Sequence, residues 1–226
     1  MAKNLKINII DTLSKKLDKK QKESFDKEDL YGMTPLVLAI KKGWYKLAID
    51  IIKAGFYRSD RVDEYTKLSP LHHSAQVNDE KFLMTLTKTF KHIINTKDKL
   101  GNTALHYAAF NRNKRYIEIL IKEGANVKIK NKQQNTALHL ACLNNDPHKD
   151  HSSKVEELLI NNGADINAQN DKQETPLMLL FRTINEPDEE VCSNKFDPIS
   201  SVMILIKAGA DVTASTTSDM TPLHYA

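Results

Sequence analysis

Residues 102–126 read NTALHYAAFNRNKRYIEILIKEGAN, and the same wording returns as NTALHLAC at 135–142 and LLINNGAD at 158–165. Anchored on its threonine or serine, the phrase occurs as TPLV at Thr34, SPLH at Ser69, TALH at Thr103 and Thr136, TPLM at Thr175 and TPLH at Thr221. Successive spacings are 35, 34, 33, 39 and 46 residues. A period near 33 that lengthens late in the chain is that of a repeat architecture whose later copies carry insertions.

One unit can be read in physical terms. Thr103 is suited to cap a helix, its hydroxyl accepting from an amide one turn in. At Thr34, Ser69, Thr175 and Thr221 a proline follows, which fits the first helical position because its missing N–H has no partner there. Leu105, Ala108 and Ala109 then give a short apolar face whose small residues let neighbouring helices approach. Asn111 and Asn113 interrupt this helix. Ile117, Leu120 and Ile121 mark a second one, which stops at Gly124, where a left-handed residue is expected. Residues 125–135 suffice for a turn or hairpin. Neither helix buries its face alone, but stacking against the next copy does so for both.

These residues resemble the ankyrin repeat, whose pattern is D-x-x-G-x-T-P-L-H-x-A-A followed by a helix ending in L-L-x-x-G-A-D-V-N. Residues 98–127 match at Asp98, Gly101, Thr103, Leu105, His106, Ala108, Ala109, Leu120, Gly124, Ala125, Asn126 and Val127. GADIN at 163–167 and GADV at 209–212 match the end of the pattern. The resemblance covers residues 29–226 and implies an all-α solenoid of stacked helix-turn-helix units with short β-hairpin loops. The units fall at about 29–63, 64–97, 98–130, 131–169 and 170–215, with a partial unit at 216–226. Residues 1–28 carry Leu5, Ile9, Leu13 and Leu17 four apart, an amphipathic helix read as an N-terminal cap. The last residues lie inside the first helix of a sixth unit, so the natural polypeptide is expected to continue beyond 226.

The departures are informative. The second unit reads FKHIINTKDK where Gly-Ala belongs, and its outer helix and loop are expected to be less regular. The glycine two before the threonine becomes Lys67, Gln134, Gln173 and Asp219 in other copies, which predicts less ideal turns. Two insertions, near 144–153 and 182–201, fall between the helices of their units.

Composition limits the function classes. A net charge of +4, with 33 basic residues interleaved among 29 acidic ones, gives no argument for nucleic acid. The N-terminus lacks a Sec signal pattern, and no stretch approaches the roughly 18 apolar residues of a membrane helix. Cys142 and Cys192 are too few for a disulfide framework, which favours a reducing compartment, the cytoplasm. Cys142 stands where the repeat has a small alanine and is expected to be a buried thiol, while Glu189 and Glu190 beside Cys192 disfavour a thiolate.

His72, His106, His139 and His224 recur at one position; the resemblance implies hydrogen bonds to the neighbouring loop, and repetition alone explains them without a metal. DPHKDH, with His148 and His151 between Asp146 and Asp150, reads as a solvated loop lacking regular ligand spacing. No phosphate loop, nucleophile elbow or kinase signature is found. No catalytic residue, cofactor or metal is assigned, and no enzyme is expected within this chain.

The resemblance implies a protein-interaction module, or scaffold, that binds a protein partner through its concave face and hairpin tips. Carried over by position, the contact residues are Tyr31, Met33, Tyr65, Leu68, Lys99, Leu100, Asn102, Tyr107, Phe110, Lys132 and Gln133. Tyr31, Tyr65, Leu68 and Leu100 are more apolar than a solvated tip requires, and contiguous apolar surface marks interfaces. Trp44 is expected to pack at its helix turn. The alternative is the targeting part of a larger enzyme whose catalytic domain lies beyond residue 226. Lysine-rich, divergent ankyrin proteins also resemble those that intracellular bacteria deliver into the host cytoplasm or nucleus.

Overall fold

Every threonine or serine of the recurring phrase starts a helix in the computed structural model, which describes residues 18, 33–57, 66–144, 154–185 and 198–226. The N-terminal capping helix, Tyr31, Tyr65, His148, His151 and Cys192 fall outside the described residues. Helices come in pairs: α1 (Pro35–Lys41) with α2 (Tyr45–Ala54), α3 (Pro70–His73) with α4 (Glu80–Thr89), and α5 (Ala104–Phe110) with α6 (Lys114–Lys122). They continue as α7 (Ala137–Leu143) with α8 (Lys154–Asn161) and α9 (Pro176–Asn185) with α10 (Pro198–Lys207), and α11 (Pro222–Tyr225) opens another unit. First helices pack in one row from α1 to α11, and second helices in a parallel row from α2 to α10. Among the described residues the regular structure is helical, without strands.

Local chemistry sets the helix ends. Thr34 Oγ1 accepts from the Val37 N–H at 3.3 Å, Asp79 Oδ1 from Phe82 at 2.8 Å and Asn113 Oδ1 from Tyr116 at 3.0 Å. Each satisfies an amide that the helix itself leaves unpaired. Gly55, Gly124 and Gly209 close their helices at φ of 76, 104 and 97°. The second unit ends otherwise: α4 is a regular ten-residue helix, and a 3₁₀ turn at Lys91–Ile93 follows it. Phe90 and Ile94 are buried there, so the irregularity expected of the whole outer helix is confined to its exit.

Stacking makes the core. Leu36, Leu71, Leu105, Leu138 and Leu177, one per unit, are all buried, whereas Leu223 at the end of the row is 81% exposed. Ala108 and Ala141 are fully buried, as are Leu120, Leu159 and Leu205 on the second helices. Burying a leucine is worth about 2 kcal/mol, and every such leucine needs a neighbouring unit.

A buried ion pair joins the third and fourth units. The Arg112 guanidinium donates to both Glu156 carboxylate oxygens, at 2.8 and 3.0 Å, and to the Ala141 carbonyl at 2.9 Å. Arg112 occupies the α5–α6 turn at φ 53°, and Gly43 holds the corresponding turn of the first unit at φ 70°. Glu156 sits in the first turn of α8, where a negative charge suits the helix dipole. Burial first, and the Glu156 charge second, push the Cys142 thiol well up from its ordinary value, so Cys142 is an unreactive core residue.

The second insertion is shorter than expected. Residues 182–185 belong to α9 and 198–201 to α10. Arg182 pairs with Glu174, and the Thr183 hydroxyl donates to the Leu180 carbonyl at 2.8 Å. Replacing only 186–197 by a short turn should leave the melting temperature nearly unchanged, since loop length costs only about 0.6 kcal/mol per doubling. Extending the replacement to 182–201 should lower it, because that removes helical residues.

The loop turns share one geometry. In the third unit the Asp98 N–H donates to the Asn102 carbonyl at 2.9 Å, and Asp98 Oδ1 accepts from the amides of Leu100 and Asn102 at 2.9 and 2.8 Å. Asn131 and Asn170 repeat this arrangement. Lys67, Gln134, Gln173 and Asp219 adopt the same left-handed conformation as Gly101, at φ of 58–61° against 81°. The turns are therefore kept and the side chains carry the strain. Gln134→Gly and Gln173→Gly should each add about 0.5–1 kcal/mol in urea unfolding. Gly101→Ala should lose more than that, because its Cβ would lie 2.7 Å from the Lys132 backbone nitrogen.

Candidate functional site

The edge that carries the loop tips is positioned by buried histidines. The backbone N–H of Ser69, Thr103 and Thr136 donates to Nδ1 of His72, His106 and His139 at 2.9, 3.2 and 3.1 Å. Nε2–H of the same rings then donates to the carbonyls of Asn102, Asn135 and Glu174 in the following unit, at 3.1, 3.1 and 3.2 Å. Each ring accepts on one side and donates on the other, so it must be neutral. Burial is the main reason that the pKa of His106 and His139 falls to about 4 and that of His72 is lowered. Units one and five have Val37 and Met178 at this position.

Successive loop tips are tied directly. The Lys99 N–H donates to the Thr66 carbonyl at 2.9 Å, Lys132 to Leu100 at 3.0 Å and Asp171 to Gln133 at 3.1 Å. Beneath them runs a buried amide row: Asn131 Nδ2 donates to Asn102 Oδ1 at 2.8 Å, and Asn170 Nδ2 to Asn135 Oδ1 at 3.1 Å. These bonds use up backbone and buried polar groups, leaving tip side chains free to face outward.

The candidate contact residues divide on this frame. Lys99, Lys132 and Gln133 are exposed at the tips, Leu100 is 63% exposed, and Phe110 at the end of α5 is 43% exposed. Met33 and Leu68 are half-buried. Asn102 is buried, with its side chain in the amide row and its carbonyl on His72, so it supports the surface without forming it. Tyr107 is half-buried; its hydroxyl donates to Asp98 Oδ2 at 2.6 Å and its ring stands edge-on to His72. Burial, followed by the Asp98 hydrogen bond, raises the Tyr107 pKa to about 12. Trp44 does not pack as expected: it is 54% exposed beside the α1–α2 turn, and the adjacent Tyr45 stacks on Phe82 instead.

Two structural residues escaped the sequence reading. Asn113 caps α6 and also donates to the Ala75 and Val77 carbonyls of the second unit, at 3.1 and 2.7 Å. Glu156 reaches Arg112 across 44 residues and an insertion, with no local spacing to announce the pair.

A family model described as ankyrin repeats, three copies, matches residues 48–131 and 71–170, together more than half of the chain. The chain is similar to Inversin of Homo sapiens, Canis lupus familiaris and Mus musculus, at 28% identity over 130 residues in each case. The matched region is 56% of this chain and 12% of the length of those relatives. No described helix is long and apolar enough to cross a membrane.

The histidine pKa values give stability a pH dependence with a definite sign. The folded value near 4 lies below the unfolded value near 6.5, so the unfolded chain binds more protons between them. Stability should be full above about pH 6.5 and fall as pH drops toward 4. Urea unfolding from pH 7.5 to 4.5 checks this. His139→Gln should be destabilised at pH 7.5 by about 2 kcal/mol through its lost hydrogen bonds, yet show a shallower loss on acidification.

Proposed function

The chain belongs to the ankyrin-repeat family, and from that premise we propose that it binds a protein partner through the tips and concave face of its first four units. Ankyrin repeats are generally protein–protein interaction modules. The observation that carries the reading is the outward placement of Leu100, on a loop tip, and Phe110, at the end of α5, in a fold whose first-helix apolar residues from units one to five are largely buried. Leu100 rides on a turn fixed by Asp98 and by the next unit's amide, so exposing it requires no loop rearrangement. A preorganised apolar side chain loses little entropy on binding.

By repeat position the proposed contact set also takes in Met33, Leu68, Lys99, Lys132 and Gln133, together with Tyr31 and Tyr65. Asn102 and Tyr107 act beneath it, as supports. The proposed setting is the cytoplasm, in keeping with Cys142 as a buried thiol.

A partner recovered by crosslinking should lose affinity when Tyr31, Tyr65, Leu100 or Phe110 is changed to alanine. Truncating a true anchor costs about 2 kcal/mol or more, roughly 30-fold in Kd. Leu100→Ala and Phe110→Ala should leave the melting temperature within a degree or two of the parent, since their side chains leave the stacked core. Normal binding by all four variants would move the interface elsewhere, and unfolding would show that the residues are core.

A further inference from the structure

The charge on two adjacent loops is one-sided. Between 95–102 and 126–135 the chain presents Lys97, Lys99, Lys128, Lys130 and Lys132. The single carboxylate in these two loops, Asp98, is buried and occupied by Tyr107 and two backbone amides. Hydrogen bonds fix the lysines as neighbours. Lys97 Nζ donates to the Lys130 carbonyl at 2.8 Å, Lys130 Nζ to the Gln169 carbonyl at 2.9 Å, and the Lys132 amide to the Leu100 carbonyl at 3.0 Å.

None of the five lysines has a carboxylate partner among the described residues. Some basic side chains elsewhere do, Lys91 with Glu123, Lys114 with Glu118, Arg115 with Glu80, Arg112 with Glu156 and Arg182 with Glu174, while single lysines such as Lys42, Lys81 and Lys172 stand on other loops and helix faces. What distinguishes the tips of units three and four is density: five lysines on two adjacent loops whose single carboxylate is buried. The nearby histidines add none, being buried and neutral above about pH 4.

We infer that the tips of units three and four are a docking edge for an extended, acidic protein segment, rich in Asp and Glu, that also carries an apolar side chain for Leu100 and Phe110. This rests on the proposed protein-binding role and assigns the chemistry of the partner. Lysines set one unit apart along a ridge supply point charges suited to carboxylates spread along an extended strand. They lack the arginine forks that read phosphate bidentately. The aromatic interleaving on which single-stranded nucleic acid stacks is also absent among the described residues of these two loops. Leu100, bracketed by Lys99 and the next unit's Lys132, gives an apolar point inside the charged row, so the matching segment alternates the two chemistries.

The test uses the full chain and a random 12-residue peptide library displayed on phage. Selected peptides should be enriched in Asp and Glu together with an apolar residue. Their synthetic versions should weaken about ten-fold or more between 0.05 and 0.5 M NaCl. Lys99→Glu, Lys128→Glu and Lys132→Glu combined should weaken them by a similar factor at unchanged melting temperature; Lys97 and Lys130 are left alone because their side chains hold the loops. A selection that yields no binders, binders without acidic enrichment, or binders indifferent to the charge reversal overturns the inference. So does tighter binding of a 12-nucleotide single-stranded DNA than of the selected peptides. Neutral peptides that depend on Leu100 and Phe110 would sink the acidic assignment while leaving the protein-binding role standing. Peptides that ignore both the lysines and the apolar pair would sink both.

Discussion

A neutral imidazole held between two backbones is the constraint on which the middle of this solenoid depends. In units two, three and four, one ring nitrogen closes the start of its own helix and the other holds the carbonyl that precedes the next unit's threonine. Because Nδ1 accepts and Nε2 donates, the arrangement is lost if the ring takes a second proton. Leucine stacking supplies the burial, but it is not directional. The imidazole sets the distance and register at which one unit meets the next.

That register fixes what the loop-tip edge can offer. In units three to five, where the turn is closed by its first Asp or Asn and the tip amide is bonded to the preceding tip, the backbone has few groups left for a ligand. In the proposed binding role, recognition falls to side chains: the exposed Leu100 and Phe110, and a set of lysines without carboxylate partners among the described residues. The left-handed residue at each turn is part of the same design. Gly101 meets it without strain and lets the Lys132 backbone come close, while Gln134 and Gln173 hold the shape at some cost to stability.

The opposite edge is governed differently. There the turn between paired helices varies from unit to unit, and the third and fourth units are locked by Arg112 and Glu156. Taking two charges out of water is costly, and removing one partner would leave the other buried and unpaired, worth about 3–5 kcal/mol. The guanidinium also satisfies the Ala141 carbonyl, so the pair fixes the end of α7 as well as the position of α8.

The sequence by itself determined the unit, the number of copies and the helix starts, because these depend on contacts within three or four residues: Thr103 with its cap, proline at the first helical position, Gly124 at the exit. It also marked which residues belong to the tips, since register follows directly from the repeat. Tertiary structure decided which tip residues face outward. Asn102 and Lys99 are three positions apart in the same turn, yet one is buried in an amide row built from the next unit and the other is in solvent. Tyr107 turned inward because Asp98 is placed to receive its hydroxyl, and Trp44 stayed exposed while Tyr45 took the packing position against Phe82. Arg112 and Glu156 found each other across an insertion that hides their register. Apart from the Tyr107–Asp98 bond, which joins residues nine apart in one unit, these outcomes depend on atoms one unit away, about 30 or more residues along the chain, and no local spacing encodes what a side chain meets there.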